Sequence, residues 1–188
     1  ASGPDPSPDP AAIAALLADK AVEHLPALLP RALVARARFA RIDALSPERL
    51  AAEAQDWLAP LLVGRRDLAL PRSALAEALL NRLSWDERQQ IDRLAPREFA
   101  SPAGTHHAID YEADDAPSVE VRVQAVFGLE KHPMVGDTPL LLKLTDPGGK
   151  PVQATRDLPG FWRGSWKDVQ KDMKGRYPKH RWPDEPWN

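Results

Sequence analysis

Lys167, Lys171 and Lys174 are spaced by four and then three residues, the interval that aligns side chains on one face of a helix, and Arg163 lies one turn earlier. Arg176, Tyr177, Lys179 and Arg181 follow directly, within the run Gly175-Arg176-Tyr177-Pro178-Lys179-His180-Arg181-Trp182-Pro183-Asp184-Glu185-Pro186. Its three prolines each fix φ and lack an N–H, so the run is expected to be extended and irregular. Cations at steps of about 6 Å suit a phosphate backbone, and ring faces suit unstacked bases. These eight residues therefore offer contact with a single-stranded nucleic acid, RNA or another. The competing reading is structural. Trp166, Val169 and Met173 would bury the other side of the helix, the lysines would be a solvated face with Asp168 and Asp172 as partners, and Tyr177 and Trp182 would strap the tail over the core.

Other chemistry has little support. His106, His107 and Asp110 lie near Glu112, Asp114 and Asp115, but strand alternation leaves only His106 and Asp110 on one face, too few for a closed metal site. There is no cysteine, hence no disulfide framework or thiolate site, and no serine sits in a G-x-S-x-G elbow. No G-x-x-x-x-G-K-[ST] loop is present to cradle phosphates, so no cofactor is expected in this chain and it should not hydrolyse ATP alone. No apolar run is long enough to span a bilayer and the start carries no signal pattern, which points to a cytoplasmic protein without membrane contact.

The formal net charge of −2 hides an asymmetry: Lys150 to Arg181 carry nine Lys/Arg against three Asp/Glu, and the rest of the chain is net acidic. One basic end suggests a local contact with an acidic partner.

The elements that must position these residues follow from periodicity and punctuation. Residues 1–10, rich in proline, read as a linker; 11–96 as a helical subdomain; 97–188 as an α+β subdomain carrying the basic helix and tail. Ile13, Leu16, Leu17 and Leu25 form the first apolar stripe. A second helix is expected from Arg31 to Ile42. Ser46-Pro47-Glu48 starts a third, burying Leu50, Ala54, Trp57 and Leu58 and ending before Pro60. Pro71 opens a helix with Leu75, Leu79 and Leu83, and Ser84 to Glu87 form a capping box for one that buries Ile91 and Leu94. Beyond Pro96, His107, Ile109 and Tyr111 alternate as a strand. Leu140 to Thr145 and Pro151 to Arg156 should form a hairpin through a type II turn at Pro147-Gly148. The stretch between Asp115 and Gly128 reads as a helix from its caps, although Val119, Val121 and Val123 alternate. Ser165-x-x-Asp168 caps the last helix and Gly175 ends it.

The tail run, together with Pro147-Gly148-Gly149-Lys150-Pro151-Val152-Gln153-Ala154-Thr155-Arg156-Asp157-Leu158 and Phe161-Trp162, carries a resemblance to the C-terminal extension of the HrpB-type bacterial DEAH-box ATP-dependent RNA helicases. It continues at Val121-Arg122-Val123-Gln124, Phe127-Gly128, Pro102-Ala103-Gly104 and Ile109-Asp110-Tyr111, covering about Leu50 to Pro186, with Ala125 and Lys150 as departures. It implies an accessory module beside motor domains in the same polypeptide, with ATP and magnesium handled by those domains. The expected architecture is α+β, a helical half packed on a small, mainly antiparallel sheet; an oligonucleotide-binding-like barrel is the variant. Two functions follow: single-stranded nucleic-acid binding, or protein docking through Trp162, Trp182 and Trp187.

Overall fold

A computed structural model describes residues 9–188. Most of the expected 1–10 linker lies outside the described residues. Of its last two, Asp9 accepts a hydrogen bond from the Ala11 N–H and Pro10 begins the first helix. The chain divides into two compact units between Arg93 and Leu94, and its mixture of helices and small sheets is α+β.

The first unit is helical: α1 (Pro10–Val22), α2 (Leu25–Leu28), α3 (Arg31–Phe39), α4 (Pro47–Ala52), α5 (Ala54–Trp57), α6 (Ala59–Leu62), α7 (Arg72–Asn81) and α8 (Trp85–Leu94). The expected stripe on α1 is displaced. Ala14, Ala18 and Ala21 are buried while Leu16 is 70% exposed, because a ridge of small side chains lets α1 approach α5 and α6 closely. Gln55 ties this contact, donating to the Ala15 carbonyl and to Asp19. The α3 helix stops at Phe39, short of Ile42: the Ile42 N–H reaches back to the Ala37 carbonyl, the Arg41 N–H reaches the Arg38 carbonyl, and Arg41 turns left-handed at φ 61°.

Ser46 Oγ accepts from the Arg49 N–H, as its start signal implies, but the expected single helix is three. Breaks at Glu53 and Leu58 place Pro60 in the first turn of α6, where its missing N–H costs nothing. Leu50, Ala54, Trp57 and Leu58 are all buried nonetheless. At α8 the capping box forms reciprocally, the Glu87 N–H donating to Ser84 Oγ and the Ser84 N–H to the Glu87 carboxylate.

The second unit holds β1 (Glu98–Ala100), β2 (His106–Ala108), β3 (Ser118–Arg122), β4 (Met134–Val135), β5 (Thr138–Pro139), β6 (Leu141–Thr145), β7 (Pro151–Thr155), α9 (Leu158–Arg163) and α10 (Trp166–Arg176). The strands form a three-stranded sheet in the order β3-β6-β7 and two two-stranded ribbons, so no five-stranded barrel closes among the described residues. The helix expected after Asp115 is instead β3 followed by a 3₁₀ turn over Val123–Val126. Val119 and Val121 are buried and Glu120 and Arg122 exposed, and parallel pairing with β6 satisfies the backbone of these β-branched residues. The central strand β6 buries Leu141 and Leu142 together, as a strand covered on both faces must.

The β6–β7 hairpin forms as expected, but its turn differs. The left-handed residue is Gly149, φ 88°, not Gly148; Gly149 N–H bonds to the Asp146 carbonyl, and Asp146 N–H to the Lys150 carbonyl. A turn followed by a left-handed glycine matches the strand twist where a type II turn would splay it.

Candidate nucleic-acid interface

A cluster of five rings holds the basic helix in place: Phe127, Phe161, Trp162, Trp166 and Trp182, with centroids 5.2–6.5 Å apart in tilted and edge-to-face pairs. Every indole N–H in it has a partner. Trp162 donates to the Leu129 carbonyl, Trp166 to that of Pro183 and Trp182 to that of Tyr177, at 2.9–3.0 Å. Trp162 and Trp182 are 3% and 5% exposed. They are thus core residues, and of the three tryptophans a docking surface would use, Trp187 alone is half-exposed.

The buried stripe of α10 is Trp166, Gln170 and Met173, with Val169 half-buried beside it. Lys167, Lys171 and Lys174 each follow one of these by one position, so their stripe lies about 100° around the helix from the buried one. All three lysines are exposed, and no ion pair among the described residues includes them. Asp172, which the sequence offers as a lysine partner, pairs instead with Arg176 four residues on, at 3.0 Å.

Two termini of α10 differ from expectation. Ser165 makes no side-chain cap, because its backbone (φ −66°, ψ −15°) is already helical whereas a capping residue needs an extended one. Gly175 lies within the helix, which runs to Arg176 and closes through the Tyr177 N–H on the Met173 carbonyl at 2.7 Å, a bond that needs no left-handed glycine.

The tail is fixed from the helix's buried side. Gln170 donates to the Trp182 carbonyl and to Asp184 Oδ1, and the Gly128 N–H donates to the Pro186 carbonyl. Arg176 reaches Asp146 at 2.7 Å, joining α10 to the hairpin turn. The Asp146 side chain is 1% exposed. Its burial pushes the carboxyl pKa up, but the Lys150 N–H and the Arg176 guanidinium outweigh this and hold it below the usual carboxylate range. Tyr177 lies against the same turn, its hydroxyl 3.1 Å from where a methyl group on Gly148 would sit, with the Arg176 guanidinium 5.3 Å from its ring centre.

The eight sequence-chosen residues therefore fall into two sets. Arg163, Lys167, Lys171, Lys174, Lys179 and Arg181 project exposed cations, whereas Arg176 and Tyr177 bind the tail to the hairpin. Sequence reasoning missed Gln170 and Asp146, the residues that shape the strip. The signals for them were a polar residue at i+4 from Trp166 in an apolar stripe, and an acid opening the Asp-Pro-Gly-Gly turn. The histidines do not converge: His106 Nδ1 lies 3.4 Å from Glu98, His107 bonds Thr105, and no metal-holding group of three occurs among the described residues.

The family model described as ATP-dependent helicase C-terminal (HrpB_C) matches residues 57–186. The ATP-dependent RNA helicase HrpB of Escherichia coli (strain K12) is 41% identical over 148 residues, which are 77% of this chain and 18% of that protein. The crystal structure of the E. coli DExH-box NTPase HrpB superposes with a TM-score of 0.71 at 35% identity, over 86% of this chain and 22% of that one. That of the Escherichia coli DEAH/RHA helicase HrpB gives 0.66 at 31% identity, over 95% and 24%. The chain spans about a fifth to a quarter of the length of these relatives.

Proposed function

This chain belongs to the HrpB-type ATP-dependent helicase C-terminal family, and from that premise we propose that it is an accessory module of an ATP-driven RNA helicase that supplies single-stranded nucleic-acid affinity to motor domains in the same polypeptide. One observation carries the reading: three lysines without carboxylate partners, in line on a helix whose neighbouring face is anchored by Trp166 and Met173. A cation on a pinned helix contributes to a phosphate contact without the ordering cost that a free chain pays. In the chain Arg163 precedes these lysines, across the break at Gly164, and Lys179 and Arg181 follow them, while Arg176 and Tyr177 fasten the start of the tail to the hairpin turn. ATP and magnesium belong to the motor domains in this reading.

The test is fluorescence anisotropy of a labelled single-stranded RNA over a salt series, comparing the chain with its Lys167→Ala/Lys171→Ala/Lys174→Ala variant. The variant should melt as wild type does, since exposed charges contribute only about 0–1 kcal/mol each. Its affinity should fall for every sequence, and the slope of log affinity against log salt should shallow by about 0.7 for each phosphate that the variant no longer neutralises. Wild-type affinity in the variant at low salt would refute the reading and leave protein docking as the alternative.

A further inference from the structure

An open hollow is lined by Glu130, Pro159, Trp162, Arg163 and Trp187. Its volume is about 290 Å³, at the lower limit for small-molecule sites. We propose that this hollow takes one guanine base of the bound strand, an assignment that rests on the single-strand reading above.

The lining combines apolar faces with two opposite charges. Trp162 lines the hollow as a core ring, 3% exposed and with its indole N–H already spent on Leu129, so what little it shows is carbon surface. Trp187 is the sixth tryptophan and makes no ring pair with the five-ring cluster. It is half-exposed and held on both sides: the Pro186 carbonyl accepts from Gly128, and Asn188 bonds Glu185 through backbone and side chain. An indole so placed is a ready stacking platform. Glu130 and Arg163 line the same hollow without closing an ion pair within 4 Å.

A planar ligand between these charges must present donors to the carboxylate and acceptors to the guanidinium. Guanine does both. Its N1–H and N2–H₂ form a pair of adjacent donors that a carboxylate accepts with two oxygens, and its O6 and N7 accept two guanidinium N–H groups. Uracil has one ring N–H between two carbonyls, so it repels the carboxylate on either side. Adenine and cytosine each offer one amino group on that edge, beside a ring nitrogen that also accepts. Arg163 lines the hollow and, across the helix break at Gly164, precedes Lys167 by four residues in the chain, so on this assignment a strand bound along the lysines continues past Arg163 to Trp187.

The test compares a labelled oligouridylate with the same oligomer carrying one central guanosine. Wild type should bind the guanosine oligomer about tenfold more tightly. Glu130→Ala, an exposed position, should abolish that preference without weakening oligouridylate binding, since uracil gains nothing from the carboxylate; Trp187→Ala should weaken the guanosine oligomer most. Equal wild-type affinities, or a preference surviving Glu130→Ala, would overturn the assignment while leaving the single-strand reading intact. If neither oligomer binds, that reading fails instead, and guanosine monophosphate is titrated against the Trp indole N–H resonances. A shift of the Trp187 signal that disappears in Glu130→Ala then supports the hollow, and no shift overturns it.

Discussion

His132 reports at the residue scale how the fold selects a protonation state. The Leu158 N–H donates to its Nδ1 at 3.0 Å, which makes Nδ1 an acceptor, so the proton sits on Nε2 and is donated to the Leu140 carbonyl at 2.7 Å. Burial lowers its pKa most strongly, against the raising effects of the Leu140 bond and of Asp157, and the net shift is down. A histidine depressed in the fold contributes stability that is complete above its unfolded pKa of about 6.5 and is lost as pH falls below that, until the folded imidazole also takes a proton. The melting temperature should therefore be flat from pH 8 to 7 and fall below about pH 6.5, and His132→Gln should show no such fall in that window. Asp146 and Glu53 are also depressed, but as carboxylates they act lower, their stability persisting until pH drops below about 4. The two windows are separable by titration. Glu53 owes its shift first to Arg82 and then to Arg49, so its loss on acidification would loosen the α4–α5 break and leave the hairpin untouched.

At the element scale α10 carries two stripes with different duties, and variants of adjacent residues should separate them. Trp166 is 1% exposed, packs edge-on against Trp162 and Phe127, and donates its N–H to Pro183. Truncating such a ring leaves a cavity and frees the tail, so Trp166→Ala should cost about 3–5 kcal/mol, measured by denaturant unfolding. An unchanged midpoint would mean that the helix is rotated from the orientation described. Lys167→Ala, one residue on, should leave the same midpoint in place. Periodicity located this helix and its lysine face. It misassigned the buried stripe by one residue because Gln170 is polar, and its burial is explained only by the carbonyl of Trp182 and the carboxylate of Asp184 waiting for its amide.

For the whole molecule, the family assignment separates what this chain does from what a helicase does. The motifs that cradle phosphates and hold magnesium are absent from the sequence, so the purified chain should show no ATP turnover above a buffer control, with or without RNA. Turnover stimulated by single-stranded RNA would overturn its place as an accessory module. Among the described residues no helix is long and apolar enough to cross a membrane. Each of the two units has its own apolar core, mainly alanine and leucine in the first and aromatic rings with leucine and valine in the second.

Local signals in the chain were sufficient wherever a few adjacent residues determine the outcome. The Ser46 cap, the Ser84–Glu87 box, the β6–β7 hairpin and the exposure of Lys167, Lys171 and Lys174 depend on neighbours within one or two turns, and all were legible. Ordered motif blocks made the family legible as well. Tertiary structure decided the rest. Val119, Val123, Val126 and Phe127 fit a helix face while Val119, Val121 and Val123 alternate as in a strand, and only the presence of β6 as a parallel partner resolved Ser118–Arg122 into a strand. Whether Arg176 faces solvent or an acid depended on Asp146, thirty residues earlier in the chain. Trp162, Trp182 and Trp187 are the same residue type in the same basic end, yet the first two became core and the third stayed half-exposed, because aromatic burial depends on which rings meet in space and not on their spacing in the chain.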